Sequence, residues 1–112
     1  MDIHHDAERL ISELLSNPDK FTDDGRAYDL LQLYFRGAPL EALGSLVSSS
    51  DVLVRRAGLF VASELGRKAR ALLPDVLPLL GSEVRITHYD ATEILTVCAN
   101  ADYAEHFAKV VS

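Results

Sequence analysis

Apolar residues along this chain return every third or fourth position and rarely every second, the spacing of helices with one buried stripe. Leu10, Ile11, Leu14 and Leu15 form the first such stripe and predict a helix over about 3–16. Asn-Pro-Asp at 17–19 stops it, because proline cannot continue a helix. Asp-Asp-Gly at 23–25 opens a second helix over about 26–36, with Leu30, Leu31, Leu33 and Tyr34 inside. Gly37 ends that helix, and Pro39 suits the first turn of a short third one reaching Val47. Ser48 to Asp51 supplies cap oxygens to a fourth helix over about 52–65, closed by Gly66. A fifth over about 69–80 carries Pro74 and Pro78 and ends at Gly81. Ser82 caps a sixth running to about Cys98, and Asn-Ala-Asp at 100–102 introduces a seventh that ends near Val111.

Two of these helices repeat one another. Placing Arg56 on Arg85 matches Phe60 with Tyr89, Ala62 with Ala91, Glu64 with Glu93 and Leu65 with Ile94, all at a spacing of 29. Self-similarity at a fixed period in a run of helical hairpins is the mark of an α-solenoid. The expected architecture is a single all-α domain: a capping segment at 1–25, then hairpins at 26–50, 51–81 and 82–112.

A helical wheel shows what the repeat preserves. Val54, Ala57, Gly58, Val61, Ala62 and Leu65 share one side of the fourth helix. Val84, Thr87, Ala91, Ile94, Leu95 and Cys98 do so in the sixth. The small residues among them let a neighbouring helix approach closely. Arg56, Phe60 and Glu64 lie opposite, four residues apart and therefore stacked, and Arg85, Tyr89 and Glu93 repeat the row. These six residues are the candidate partner surface; the alternative is that Phe60 and Tyr89 pack between repeats while the charges are solvated.

The segment from Ala69 to Arg85 resembles the second helix of a HEAT repeat leading into the next, and Val-Arg pairs at 54–55 and 84–85 stand where HEAT-like repeats often carry that dipeptide. The stretch from Leu30 to Gly66 is similar to small bacterial HEAT-like proteins with a Tyr-x-x-Gly-x-Pro motif and a helix ending in Ser-Glu-Leu-Gly. Tyr34, Gly37, Pro39 and Ser63 to Gly66 carry those motifs here. The resemblance implies a HEAT-like superhelix. It also implies a kinship with immunity proteins of polymorphic or contact-dependent toxin systems, which would make the partner a bacterial toxin domain.

Charge sharpens that expectation. The chain of 112 residues has a formal net charge of −6. Acids concentrate before residue 25, where Asp2, Asp6, Glu8, Glu13, Asp19, Asp23 and Asp24 face only Arg9 and Lys20. An acidic whole disfavours general nucleic-acid binding and suits a basic protein partner, with Asp19, Asp23 and Asp24 steering it at long range. Arg67, Lys68 and Arg70 form the one compact basic cluster. It either complements a helix C-terminus or contacts phosphate, which keeps a nucleic-acid- or phosphate-binding module open as an alternative, beside an adaptor or assembly factor. No apolar run approaches the roughly 20 residues of a membrane helix, and the N-terminal residues lack a secretory pattern, so a cytoplasmic protein is expected.

Catalytic patterns do not emerge. His88 and Asp90 are two apart, pointing to different sides of a helix, and Thr92 stands where a helical metal site would need its second ligand. His88 therefore reads as a partly buried, hydrogen-bonded residue at the stripe edge. Cys98, the single cysteine, sits among apolar neighbours and reads as a small core residue. Asp2, His4, His5 and Asp6 could bind metal only adventitiously at a frayed end. A non-enzymatic protein without cofactor or metal is expected.

Overall fold

The computed structural model describes residues 3–111, with side-chain surroundings defined up to Ala99 except for Arg67. Among the described residues there is no strand. Helices α1 (Ile3–Ser16), α2 (Pro18–Asp23), α3 (Arg26–Phe35), α4 (Glu41–Val47) and α5 (Val52–Glu64) follow one another with short connections. A broken segment of 3-10 helix (Gly66–Leu72), one α-turn α6 (Leu73–Val76) and more 3-10 helix (Leu77–Gly81) leads to α7 (Arg85–Val111).

Local chemistry explains each boundary. Asn17 caps α2, its side chain accepting from the Lys20 amide at 3.2 Å, and Pro18 occupies the first turn, where a missing N–H costs nothing. The Asn-Pro-Asp stop is thus also a start, and Phe21 ties the short helix down by burial. Asp51 caps α5 by accepting from the Leu53 and Val54 amides. Gly37, at φ +105°, turns the chain out of α3, and the Ala38 amide reaches back to the Leu33 carbonyl at 3.1 Å.

Two expected elements differ. The regular helix over 69–80 is instead a 3-10/α/3-10 segment, because Pro74 and Pro78 each remove a backbone donor and leave no uninterrupted α ladder between them. The expected break near 100–102 does not occur: α7 runs unbroken for 27 residues. Asn and Asp are weak helix formers but not breakers, and no Gly or Pro follows Gly81 to force an end. The last segment therefore holds one long helix where two were expected. The side chains of Asn100 and Asp102, the expected cap, lie outside the described residues.

The helices pack in sequence order. α1 lies antiparallel on α3: Arg26 at the start of α3 pairs with Glu13 near the end of α1, while Tyr34 near the end of α3 faces His4 and Ala7. α3 touches α5, α4 lies against α5, and α5 lies against α7. The α5–α7 pair is parallel. Arg55 reaches Thr87 and Gly66 reaches Cys98, and both contacts join residues 32 apart. The result is a slab 49 × 40 × 21 Å, about two helix diameters thick. Its radius of gyration, 14.6 Å, exceeds the roughly 13 Å of a compact chain of this length.

The core follows the expected stripes. Val54, Ala57, Val61, Ala62 and Leu65 are buried, as are Thr87, Ala91, Ile94 and Cys98. Val84 departs from its stripe and is 38% exposed, because Ser82 is extended and α7 begins only at Arg85. Gly58 marks a close helix approach: a Cβ there would lie 2.9 Å from Leu46 Cβ and 3.0 Å from the Val47 backbone nitrogen.

Gly58→Ala therefore tests the packing against propensity. Alanine gains up to about 1 kcal/mol in a helix interior, but backbone atoms cannot yield, and overpacking costs about 1–3 kcal/mol. A net loss of stability is expected in urea denaturation. Gly44→Ala should be neutral or stabilising by contrast, since its nearest obstacle, the Asp75 carboxylate at 2.9 Å, can swing away. Equal effects from the two would mean that the α4–α5 approach is not tight.

Candidate functional site

α5 and α7 border a shallow groove of about 170 Å³ lined by Arg56, Phe60, Glu64, Asp90 and Glu93, with Leu59 and Ser63 beneath. Four of the six residues of the repeated rows thus meet in one place. The register explains why the other two do not. Contacts between the helices join residues 32 apart, whereas the sequence match spans 29, so the second row lies about one turn off the first. Glu93 moves in beside Phe60 and Glu64, while Tyr89 and Arg85 fall outside the groove lining.

Exposure separates the two readings of the aromatic pair. Tyr89 is 64% exposed and Phe60 is 38% exposed, so neither is interred between repeats. Arg56, Glu64, Arg85 and Glu93 are exposed as well. Phe60 presents an apolar face inside a groove whose rim holds three carboxylates and one guanidinium. No ion pair joins Arg56 to those carboxylates among the described residues.

Asp90 is the residue that spacing did not single out. It stands one turn before Glu93 and so shares its face, a signal masked by its place in the run His88-Tyr89-Asp90. Burial pushes the Asp90 carboxyl above its ordinary range; Arg56 opposes the shift and Glu93 adds to it. His88 looks elsewhere: its ring Nδ1 donates to the Leu80 carbonyl at 2.7 Å, pinning α7 to the turn before it. The histidine is hydrogen-bonded as expected but exposed where partial burial was expected, since the bond reaches an outer turn.

A second residue the sequence did not reveal joins α5 to α7. Arg55 is only 9% exposed; its Nε donates to Thr87 Oγ1 at 3.1 Å and its Nη1 to the Ser49 carbonyl at 3.0 Å. Arg85, its counterpart in the second Val-Arg pair, is exposed at the start of α7. The two dipeptides share letters and not surroundings.

The remaining candidates lie apart from the groove. Asp19 and Asp23 are exposed on α2, and Asp24 borders a separate cleft of about 420 Å³ with Lys20 and Arg26. Arg26 is held charged, chiefly by its hydrogen bond to Glu13 at 3.1–3.2 Å. Lys68 and Arg70 are exposed on the 3-10 segment, and the Arg67 side chain lies outside the described residues. Cys98 is buried, its thiol donating to the Gly66 carbonyl at 3.8 Å; burial pushes the thiol up, while Arg70, distant in sequence but near in space, pulls it down. No cluster of three His, Cys, Asp or Glu side chains suited to a metal occurs among the described residues; Asp2 lies outside them. No described helix is long and apolar enough to cross a membrane. Comparison with protein-family models, curated proteins and solved structures finds no match.

Asp90 makes stability pH-dependent in a definite direction. Its proton is held more tightly in the folded than in the unfolded chain, so the native state carries more protons in the window just above the ordinary carboxylate value. Its contribution declines as pH rises through that window and recovers as pH falls below it. Asp90→Asn should therefore gain stability relative to the wild type between pH 3.5 and 7, followed by urea titrations at each pH. A constant difference across that range would place the carboxyl in open solvent.

Proposed function

We propose that this chain is a non-enzymatic, HEAT-like helical-repeat module that binds a basic protein in the cytoplasm, in the manner of an immunity protein that neutralises a toxin by docking on it. The observation that carries this reading is the α5–α7 groove, where an exposed aromatic ring sits among three carboxylates and a single arginine. Aromatic anchors ringed by charge are the usual composition of binding hot spots. The parallel α5–α7 pair, with the 66–81 segment returning between them, supports the helical-hairpin arrangement. So does the succession α1–α3–α5–α7, in which each helix rests on the next. The acidic excess of the groove also ranks a nucleic-acid role, resting on Lys68 and Arg70, below a protein-binding one.

The test begins with affinity capture from the native host and continues with binding kinetics on the captured protein. A basic protein is expected. Phe60→Ala and Tyr89→Ala should each speed dissociation about 30-fold, the equivalent of roughly 2 kcal/mol. Their melting temperatures should stay near that of the wild type, since both rings are substantially exposed. Replacing Asp19, Asp23 and Asp24 by Asn should slow association and flatten its salt dependence, leaving dissociation unchanged. Capture of an acidic partner or of nucleic acid, or binding indifferent to Phe60 and Tyr89, would overturn the reading.

A further inference from the structure

The exposed aromatic rings are not scattered over the molecule. Of the six aromatic residues up to Ala99, Phe21 and Tyr34 are buried, while Tyr28, Phe35, Phe60 and Tyr89 are 61%, 48%, 38% and 64% exposed. α4 supplies a reference for placing them. Gly58 faces α4, and Arg56 and Phe60, two residues to either side of it, point about 200° away, onto the opposite face of α5. Around α3, Tyr34 borders the start of α4 with Pro39, Glu41 and Ala42, whereas Asp29, Gln32 and Arg36 line the other flank. Tyr28, Gln32 and Phe35 follow at four and three residues and form one stripe, so both rings of α3 also look away from α4. On α7, Tyr89 stands one turn before Glu93, which lines the groove beside Phe60, while His88 turns to the Leu80 carbonyl of the returning limb. All four rings accordingly share one face of the slab.

Charge divides this face in two. The α5–α7 groove holds three carboxylates against Arg56, whereas α3 adds only Asp29, already paired with Arg26, beside its two rings. We propose that the recognition face extends across α3, and that its occupant is a folded basic domain that seats a cationic side chain in the α5–α7 groove and lays an apolar patch on Tyr28 and Phe35. This rests on the protein-binding reading above and adds the size of the partner and the layout of its surface. Neighbouring helices pack about 8–10 Å apart, so rings on three of them spread over roughly 16–20 Å. A docked helix is about 10–12 Å across and fills one groove between two helices. A standard interface buries about 800 Å² on each partner, a patch close to 30 Å wide, and so covers all three. Single exposed rings need no explanation, but four gathered on one face have the aromatic enrichment of an interface core. Two copies of a chain of net charge −6 would bring their acidic grooves together, which disfavours self-association through this face.

Site-directed cross-linking tests the extent of the face. The photo-reactive residue benzoylphenylalanine replaces Tyr28, Phe35, Phe60 and Tyr89 in turn, in the full chain in its native host. Leu15 on α1 and Leu77 on the returning limb, both exposed, serve as control positions. Irradiation should give one and the same protein adduct from the four face positions and none from the controls. With that cross-linked protein purified, Tyr28→Ala combined with Phe35→Ala should weaken its binding about tenfold or more, at an unchanged melting temperature. Adducts from Phe60 and Tyr89 alone, or an affinity untouched by the double substitution, would overturn the inference and leave the protein-binding reading standing. No adduct from any position would overturn both. An adduct with a short peptide, an adduct of two copies of this chain, or equal yields from the control positions would each overturn the inference as well.

Discussion

The buried guanidinium of Arg55 governs the arrangement of the C-terminal half. A charged group taken out of water must have its donors satisfied in place, and only specific neighbours do so. Here those neighbours come from the loop before α5 and from α7. The bond to Ser49 holds the guanidinium in place, and the bond to Thr87 then fixes where α7 lies along α5, something apolar packing alone does loosely. Slide α7 by one turn and Thr87 leaves Arg55, Cys98 leaves Gly66, and Asp90 leaves the groove. The surface chemistry above the pair is thus decided by a side chain that solvent scarcely reaches.

Glycine and proline set the other two dimensions. Gly58 lets the backbone of α4 settle onto α5, which thins the slab and turns the Arg56–Phe60–Glu64 row outward. Pro74 and Pro78 convert the return limb into short 3-10 pieces, which rise farther per residue than an α-helix. Sixteen residues from Gly66 to Gly81 thereby carry the chain back beside α5, with Ala69, Leu72 and Val76 still reaching the core.

Much of this was legible in the chain. Periodicity located α1, α3, α4 and α5, and it identified most of the buried faces of α5 and α7, Val84 and Arg55 excepted, because small and branched apolar side chains recur there at helical spacing. It placed Phe60 and Tyr89 on outward faces for the same reason. What it missed depends on tertiary distance. The repeat of 29 residues counts letters, while helices meet where side chains fit, and the fit at Arg55 and Cys98 is 32. Asp90 belongs to the groove only through that shift. The continuity of α7 was hidden by Asn100 and Asp102, whose preference for caps is a tendency that an uninterrupted helical ladder overrides. The short α2 was hidden because proline signals an end and a beginning with the same residue.

The slab has a kinetic corollary. Among the described residues, the helices touch mainly elements one or two places along the chain, and no extensive contact joins α1 to α7. Chains dominated by such near-neighbour contacts fold quickly and open in pieces, in the manner of a row of dominoes and not of a sealed box. Protection against amide exchange should accordingly be graded, deepest in α5, which has neighbours on several sides, and shallower toward α1. A protein built this way can loosen at one margin while its centre keeps its shape, so what happens at the amino-terminal margin need not be felt between α5 and α7.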